Sequence, residues 1–159
     1  MTTSWDSSLC LGNGNEREVI SGEEAEAACI ARSAEVLEAA GLPGGLLPLK
    51  DIQECGFDKT TGLVWIKQKR QSQHYFKRAG RLVSFDREVR AYLEHRRLRN
   101  VSGVKAKEYL VWAPVGDITV EGEGESESES GPSDQEIIRF RSYGGISRTF
   151  PAIAFSRKE

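Results

Sequence analysis

The residues best suited to bind a ligand lie in a basic and aromatic stretch, KQKRQSQHYFKRAGR, at positions 67–81. If residues 63–69 form a strand, Trp65, Lys67 and Lys69 share one face, because side chains alternate with a period of two. An aromatic ring beside a row of cations suits phosphate, an acidic polysaccharide or an anionic membrane surface. An ordinary charged sheet face is the alternative. The residues predicted to bind the ligand are Trp65, Lys67, Lys69, Arg70, His74, Lys77 and Arg78.

Residues for ester hydrolysis are harder to find. A common kind of esterase places its serine in G-x-S-x-G between a strand and a helix. The nearest match is GISRT, residues 145–149, which lacks the last glycine and has strand-like residues on both sides. His74 and His95 are the only histidines that could act as a general base. We predict no catalytic residues, although a site around His74 stays open as an alternative.

The cysteines and glycines lack the spacing that a cofactor or metal requires. Cys10, Cys29 and Cys55 are odd in number and far apart, which is typical of free thiols in a reducing compartment. The glycines of GLPGGLLP, residues 41–48, follow a helical segment and precede a strand. A phosphate-binding loop has the reverse order, because the ligand uses the amides at a helix N-terminus. We therefore predict a joint between two elements, with no cofactor and no metal.

Charge is distributed in blocks of opposite sign, although the net charge is only −2. Residues 50–110 hold fifteen basic and seven acidic side chains, whereas residues 111–135 hold seven acids and no base. Residues 121–134, EGEGESESESGPSD, contain no apolar side chain, so we predict a disordered acidic loop. We hypothesise that this loop folds over the basic block, so that deleting it tightens anion binding at low salt. Nucleic acid is a disfavoured partner, since the whole chain is acidic.

One amphipathic helix is predicted near the N-terminus, over about residues 21–41. The tetrapeptide SGEE at 21–24 has the spacing of a capping box, and Ile30, Ala34 and Leu37 fall on one helical face. Gly41 is placed to cap the C-terminus, and Pro43 prevents continuation. Residues 1–20 are polar and predicted to be flexible.

From about residue 45 to residue 156 the pattern is that of strands separated by turns. Residues 51–57 and 63–69 flank DKTTG, whose glycine permits a hairpin. Alternation continues in VRAYLEH, residues 89–95, and residues 104–115 are predicted to form one continuous strand. Many short strands with turns between them favour a sandwich or barrel. We predict an all-β fold, a β-sandwich or β-barrel preceded by the helix, in a single domain over residues 21–156.

Six pieces of this pattern carry a family resemblance. They are GLLPLKDI (45–52), CGFDKTTGLVWIKQK (55–69), HYF (74–76), LVSFDREVRAYLE (82–94), LRNVSGVKAKEYLVW (98–112) and SRTFPAIAF (147–155). In this order they resemble the plant-specific domain-of-unknown-function family DUF538. The resemblance implies a Greek-key sandwich or barrel behind an N-terminal helix, with GGLLP as the entry into the sheet.

The resemblance implies no established reaction. Proposals for the family include a likeness to lipid-binding bactericidal/permeability-increasing proteins and, separately, hydrolysis of chlorophyll or pectin esters. The chain begins without a secretory signal and has no run of about 18 apolar residues that could cross a membrane. We therefore expect a cytoplasmic plant protein that is not secreted, with peripheral attachment to a membrane left open. The expected function is non-enzymatic binding of an amphipathic or anionic, lipid-like ligand. The alternatives are an ester hydrolase and a protein-interaction module.

Overall fold

The computed structural model describes residues 17–122 and 136–157. Within them the chain forms nine strands and an α-helix, followed by a short 3-10 helix. The strands are β1 (Arg17–Ser21), β2 (Ile52–Asp58), β3 (Leu63–Gln68), β4 (Ser72–Phe76), β5 (Arg81–Glu94), β6 (Arg97–Glu108), β7 (Val111–Glu121), β8 (Ile137–Ser142) and β9 (Ser147–Pro151). The α-helix, α1, spans Ala25–Ala39, and the 3-10 helix spans Ala152–Phe155.

These strands form one antiparallel sheet in the order β1-β2-β3-β5-β6-β7-β8-β9. β4 also pairs with β5, so that β3 and β4 follow one another along the same edge of β5. The predicted all-β fold with one helix is confirmed. The strand order, however, is that of a meander and not of a Greek key, because strands that follow one another along the chain pair in the sheet, except for β3 and β4, which both pair with β5. Among the described residues the sheet does not close into a barrel.

The central strands are longer than the predicted short ones. β5 has 14 residues, and two of the expected breaks are bulges inside β5 and β6. Gly103 shows why β6 continues through its bulge. It has a φ of 87°, and a Cβ there would lie 2.3 Å from the carbonyl oxygen of Glu88. Only glycine allows the two backbones to approach so closely.

The sheet has two halves around one continuous core. In the helix half, α1 covers β1, β2, β3 and the end of β5, with Cys29 and Leu37 buried against the sheet. In the hairpin half, β4 and the start of β5 face β9 and the 3-10 helix. Phe76 of β4 lies 4.7 Å from Phe155, ring centroid to ring centroid, and the Arg78 guanidinium donates to the carbonyl of Ile153 at 3.1 Å. β6, β7 and β8 run through both halves.

The N-terminal boundaries differ from the prediction. Residues 17–20, expected in the flexible segment, belong to β1, and Ser21 is its last residue rather than a helix cap. α1 begins at Ala25, and Glu24 before it makes no side-chain capping bond. The helix therefore lies between β1 and β2, because pairing with β2 satisfies the backbone of residues 17–21. Residues 1–16, including Cys10, lie outside the described residues.

The C-terminal end of α1 forms as predicted. Gly41 has a φ of 89°. Its amide donates to the carbonyl of Glu38 at 3.0 Å, and the amide of Leu42 donates to that of Leu37 at 2.9 Å. This pair of bonds is the Schellman motif, which requires a residue in the left-handed region. GLPGGLLP connects α1 to β2, so it is a joint, and the Gly45 amide donates to the carbonyl of Phe155 at 2.9 Å.

Two further boundaries matter for the site. The predicted strand over residues 104–115 is wrong, because Tyr109 and Leu110 form a two-residue turn between β6 and β7. Glu121, expected in the acidic loop, is the last residue of β7, while residues 123–134 of that loop lie outside the described residues. The helix in the described part of the chain is too short and too polar to cross a membrane.

Candidate functional site

The predicted aromatic and basic row lies on the outer face of β3, away from α1. The Trp65 indole N–H donates to Glu54 Oε2 at 2.7 Å, and its ring lies over Gly56, where a side chain would collide with it. Lys67 Nζ lies 3.8 Å from the same Glu54 oxygen, in the facing position of β2. The Lys67 charge is thus balanced by an acid from the neighbouring strand.

The other predicted residues lie farther along the same edge of β5. Lys69 and Arg70 are exposed in the connection between β3 and β4, and Lys77 and Arg78 are exposed in the turn between β4 and β5. Trp65 faces Arg90 of β5, and Phe76, next to Lys77, faces Arg81, which is about 30 Å away along β5 at about 3.3 Å per residue. The structure therefore distributes the seven residues along an edge, with Lys77 and Arg78 in the hairpin half.

His74 and the two serines near the candidate hydrolase site have the following contacts. The His74 ring packs edge-on against Phe76, with centroids 4.6 Å apart. The Ser72 hydroxyl donates to the side-chain oxygen of the buried Gln68 at 3.1 Å, whereas a nucleophilic serine directs its proton at a base. Ser147, the serine of GISRT, lies in β9, and its Oγ accepts from Arg139 Nη1 at 3.2 Å. GISRT is therefore a hairpin turn followed by a strand.

One apolar cavity lies between α1 and the sheet, and we call it the helix cleft. Its empty space, including the part open to solvent at its mouth, is about 660 Å³. Val36, Leu37, Phe57, Val64 and Ile66 are among its walls. The charges at its mouth are balanced. Arg32 donates to both carboxylate oxygens of Glu18 at 3.1 Å and to Glu35 at 3.1 Å, and Lys59 lies 3.6 Å from Glu18.

The two described cysteines are buried in the helix half and are free thiols, as predicted. Cys55 lines the helix cleft, and the Cys29 thiol donates to the carbonyl of Ile20 at 3.9 Å. The adjacent Cys55 thiol, and then burial, raise the pKa of Cys29 well above its usual range. Cys29 therefore stays protonated, which suits a core residue rather than a nucleophile.

The second cavity lies in the hairpin half, and we call it the phenylalanine pocket. Its empty space, again including the open mouth, is about 460 Å³. Phe155 is buried at its base, with Phe140 and Phe150 at centroid distances of 5.1 and 5.9 Å. Ala106 and Ala113 face each other in the β6–β7 pair, and their short side chains leave the space above them empty.

Three charged side chains from three strands meet at the pocket mouth. Glu108 of β6 is 6% exposed. Arg81 Nη1 of β5 lies 3.2 Å from Glu108 Oε2, and Arg148 Nη2 of β9 lies 3.1 Å from Glu108 Oε1. The Arg81 guanidinium also lies 5.6 Å from the centroid of the Phe150 ring. Two arginines therefore share one carboxylate, which leaves the group with a net charge of +1 directly beside an apolar pocket.

Sequence reasoning found only part of this group. Arg81 is the last residue of the basic stretch, but Glu108 and Arg148 are far from it along the chain. Only the register of β5 with β6, and the contact of β9 across the pocket, bring the three together.

The fold and the pocket define a class of protein, a meandering antiparallel β-domain with an apolar pocket and a charged mouth at one end of its sheet. A family model described as "Protein of unknown function, DUF538" matches residues 33–156, well over half of the chain. The chain belongs to this family, as the resemblance implied. The curated proteins and the solved structures contain no match to it.

Proposed function

We propose that the protein is a non-enzymatic binding module for an amphipathic, lipid-like anion, which the phenylalanine pocket holds. The single observation behind this proposal is the net positive charge of the Arg81–Glu108–Arg148 group at the mouth of an apolar pocket. The role is in the cytoplasm of a plant cell, the setting that the resemblance implied.

The chemistry of the mouth explains why the ligand is an anion. Each guanidinium has five N–H donors in a fixed fork, and one nitrogen on each arginine contacts Glu108. A carboxylate or phosphate head accepts from further donors and neutralises the excess charge. Its apolar chain then lies against Phe140, Phe150 and Phe155, where burial removes it from water.

The helix cleft is larger but less suited to this ligand. Its mouth pairs Arg32 and Lys59 with Glu18 and Glu35, and Arg90, which also lines the cleft, pairs with Glu88, so these charges balance. An anion entering there gains no unbalanced cation and loses hydration, which costs free energy unless the charge is paired. The pocket with the charge excess is therefore the site that we propose, and not the pocket with the greater volume.

Titration calorimetry with laurate tests the proposal, because laurate has a carboxylate head on a single apolar chain. Dodecyltrimethylammonium, a cation with a chain of the same length, is the matched control ligand. We expect laurate to bind and the cation to bind at least about tenfold more weakly. Arg148→Gln should weaken laurate about tenfold, since charged hydrogen bonds contribute about 1.5–3 kcal/mol. Arg97→Gln, which removes the ion pair with Asp117 on a different part of the sheet, is the matched control variant.

Equal affinity for the two ligands, or no binding of laurate, would contradict the proposal. Ester hydrolysis around His74 and protein interaction stay as alternatives from the sequence. Turnover of a chromogenic laurate ester that is lost in His74→Ala and retained in Arg148→Gln would favour the hydrolase over the binding module.

A further inference from the structure

Three turns of the chain lie at the same end of the sheet, which we call the hairpin end. They are residues 77–80 between β4 and β5, residues 109–110 between β6 and β7, and residues 143–146 between β8 and β9. The register places them together: Val83 of β5 faces Ala106 of β6, and the Tyr143 amide donates to the carbonyl of Pro114 in β7 at 3.0 Å. The β6–β7 turn projects farthest, because β8 ends beside Val115.

The β6–β7 turn exposes large apolar side chains to solvent. Leu110 is 90% exposed and Tyr109 is 88% exposed, the two highest values for large hydrophobic residues in the described ranges 17–122 and 136–157. Val111 and Ile146 at the same end are also exposed, whereas the Tyr143 ring lies over Gly116 and its hydroxyl donates to the carbonyl of Val101. Isolated exposed hydrophobic residues are common, but a contiguous group marks a surface that contacts an apolar partner.

The backbone of this turn is also unfavourable for its residues. Tyr109 has a φ of 58°, in the left-handed region that bulky L residues rarely adopt. A two-residue hairpin turn normally has glycine, asparagine or aspartate where φ is positive. Tyr109-Leu110 therefore lowers the stability of the fold in two ways, through the strained backbone of Tyr109 and through the exposure of both side chains. Strained residues of this kind concentrate at functional sites, because the fold alone does not require them.

Cations surround the apolar turn. Lys107 Nζ lies 5.0 Å from the centroid of the Trp112 ring. These two residues face each other across β6 and β7, next to Glu108 and Val111, the facing pair that flanks the turn. Arg81, Arg148, Lys77 and Arg78 lie on the neighbouring strands and turns. Within residues 77–84, 104–114 and 139–150 the only acid is Glu108, which the two arginines neutralise. The hairpin end therefore carries a strong net positive charge.

We propose that the β6–β7 turn docks on an anionic membrane surface. Leu110 and Tyr109 enter the boundary between headgroups and acyl chains, and Trp112 lies at headgroup level, where tryptophan and tyrosine are favoured. Lys107, Lys77 and the arginines meet the anionic headgroups, each attracted within a Debye length of the surface. We favour a membrane over a protein partner because the exposed apolar residues are surrounded by cations from several separate turns. Arg81 and Arg148 belong both to this charged surface and to the pocket mouth, whereas Leu110 does not line the phenylalanine pocket, so a change at Leu110 tests the docking separately.

Vesicle co-sedimentation of the full chain tests the proposal. The probes are vesicles of phosphatidylcholine alone and vesicles of phosphatidylcholine mixed with phosphatidylserine, each at low and high salt. We expect salt-sensitive binding to the anionic vesicles only. Leu110→Asp should weaken that binding at least about tenfold, since an apolar side chain leaves the membrane and a like charge enters. Lys107→Glu should weaken it mainly at low salt.

Ile30→Asp is the matched control, because Ile30 is 50% exposed on α1, away from the hairpin end. It should sediment as the unmodified protein does, and circular dichroism should show that both variants are folded. Equal sedimentation of Leu110→Asp and the unmodified chain, binding that ignores lipid charge, or no binding at all would overturn the proposal. Self-association in ultracentrifugation that Leu110→Asp abolishes, without vesicle binding, would instead assign the turn to a protein interface. Laurate titration of Leu110→Asp keeps this test separate from that of the pocket.

Discussion

The helix half and the hairpin half contain similar cavities but differ in charge balance. Each half has an apolar cavity against the inner face of the sheet, with arginines at its mouth. At the helix cleft, Arg32 has two carboxylate partners, Glu18 and Glu35. At the phenylalanine pocket the ratio is reversed, because Arg81 and Arg148 share Glu108. Charge balance, and not cavity size, therefore distinguishes the proposed anion site from the neutral cavity.

The largest expected effect is on stability and concerns the aromatic base of the pocket. Phe155 is buried against Phe76, Phe140 and Phe150, so Phe155→Ala should lower the free energy of unfolding by about 3–5 kcal/mol. Val36→Ala at the half-exposed wall of the helix cleft should cost less than about 1.5 kcal/mol. Urea denaturation measures the free energy of unfolding of both variants. Equal losses would show that the walls of the two cavities contribute equally to stability.

The second prediction converts the helix cleft into an anion site. Glu18→Gln removes one of the two acids at its mouth, so that Arg32 and Lys59 exceed Glu35 by one charge. A second, weaker laurate site should appear in the calorimetric stoichiometry. If the stoichiometry is unchanged, a charge excess beside an apolar cavity is not sufficient to create a site, and the comparison between the two halves fails.

A smaller effect is expected at the strained turn. Tyr109→Asn should raise the free energy of unfolding by about 0.5–1.5 kcal/mol, because asparagine tolerates the left-handed region better than tyrosine. The same variant should bind anionic vesicles more weakly. Thermal unfolding of this variant checks the expected gain in stability, and co-sedimentation checks the expected loss of vesicle binding. A destabilised variant would mean that the Tyr109 side chain supports the fold.

The smallest effect concerns a balanced ion pair. The hydrogen bond from Arg139 lowers the pKa of Glu121 below its usual value. Because the folded pKa is depressed, the pair stabilises the fold above the unfolded pKa of about 4.3, and this contribution is lost as pH falls through the folded pKa. Glu121 is partly exposed, so the contribution is at most about 0.5 kcal/mol. In Glu121→Gln, the decrease in the free energy of unfolding below about pH 4 should be smaller by that amount. Urea titrations at several pH values would show this difference.

Local patterns predicted much of the fold. Alternation identified the β-domain, and the glycine after α1 predicted its C-terminal cap, because both depend on nearby residues. The β6–β7 turn was missed, since Tyr109-Leu110 carries none of the residues that mark turns. The capping box at residues 21–24 was wrong because strand pairing with β2 overrode a local signal.

The site was less predictable, because its charges are balanced by residues from other strands. The sequence identified Lys67 as a cation but not that Glu54 faces it across β2 and β3. In the same way, Glu108 lay inside the predicted strand over residues 104–115 with no sign of a partner, whereas in the structure β5 and β9 place an arginine on each of its oxygens. Register and curvature of the sheet, which are set by bulges and long-range packing, determine such neighbours.

The most direct measurement of the central claim is the laurate affinity of Glu108→Gln beside that of Arg148→Gln. Glutamine keeps the shape of Glu108 and an oxygen for the arginines but removes the negative charge. The charge excess at the mouth then rises, and laurate should bind at least about threefold more tightly, whereas Arg148→Gln should bind it about tenfold more weakly. Shifts in the same direction for both variants, with both folded, would contradict the account, because the group would then act through its structure and not through its charge.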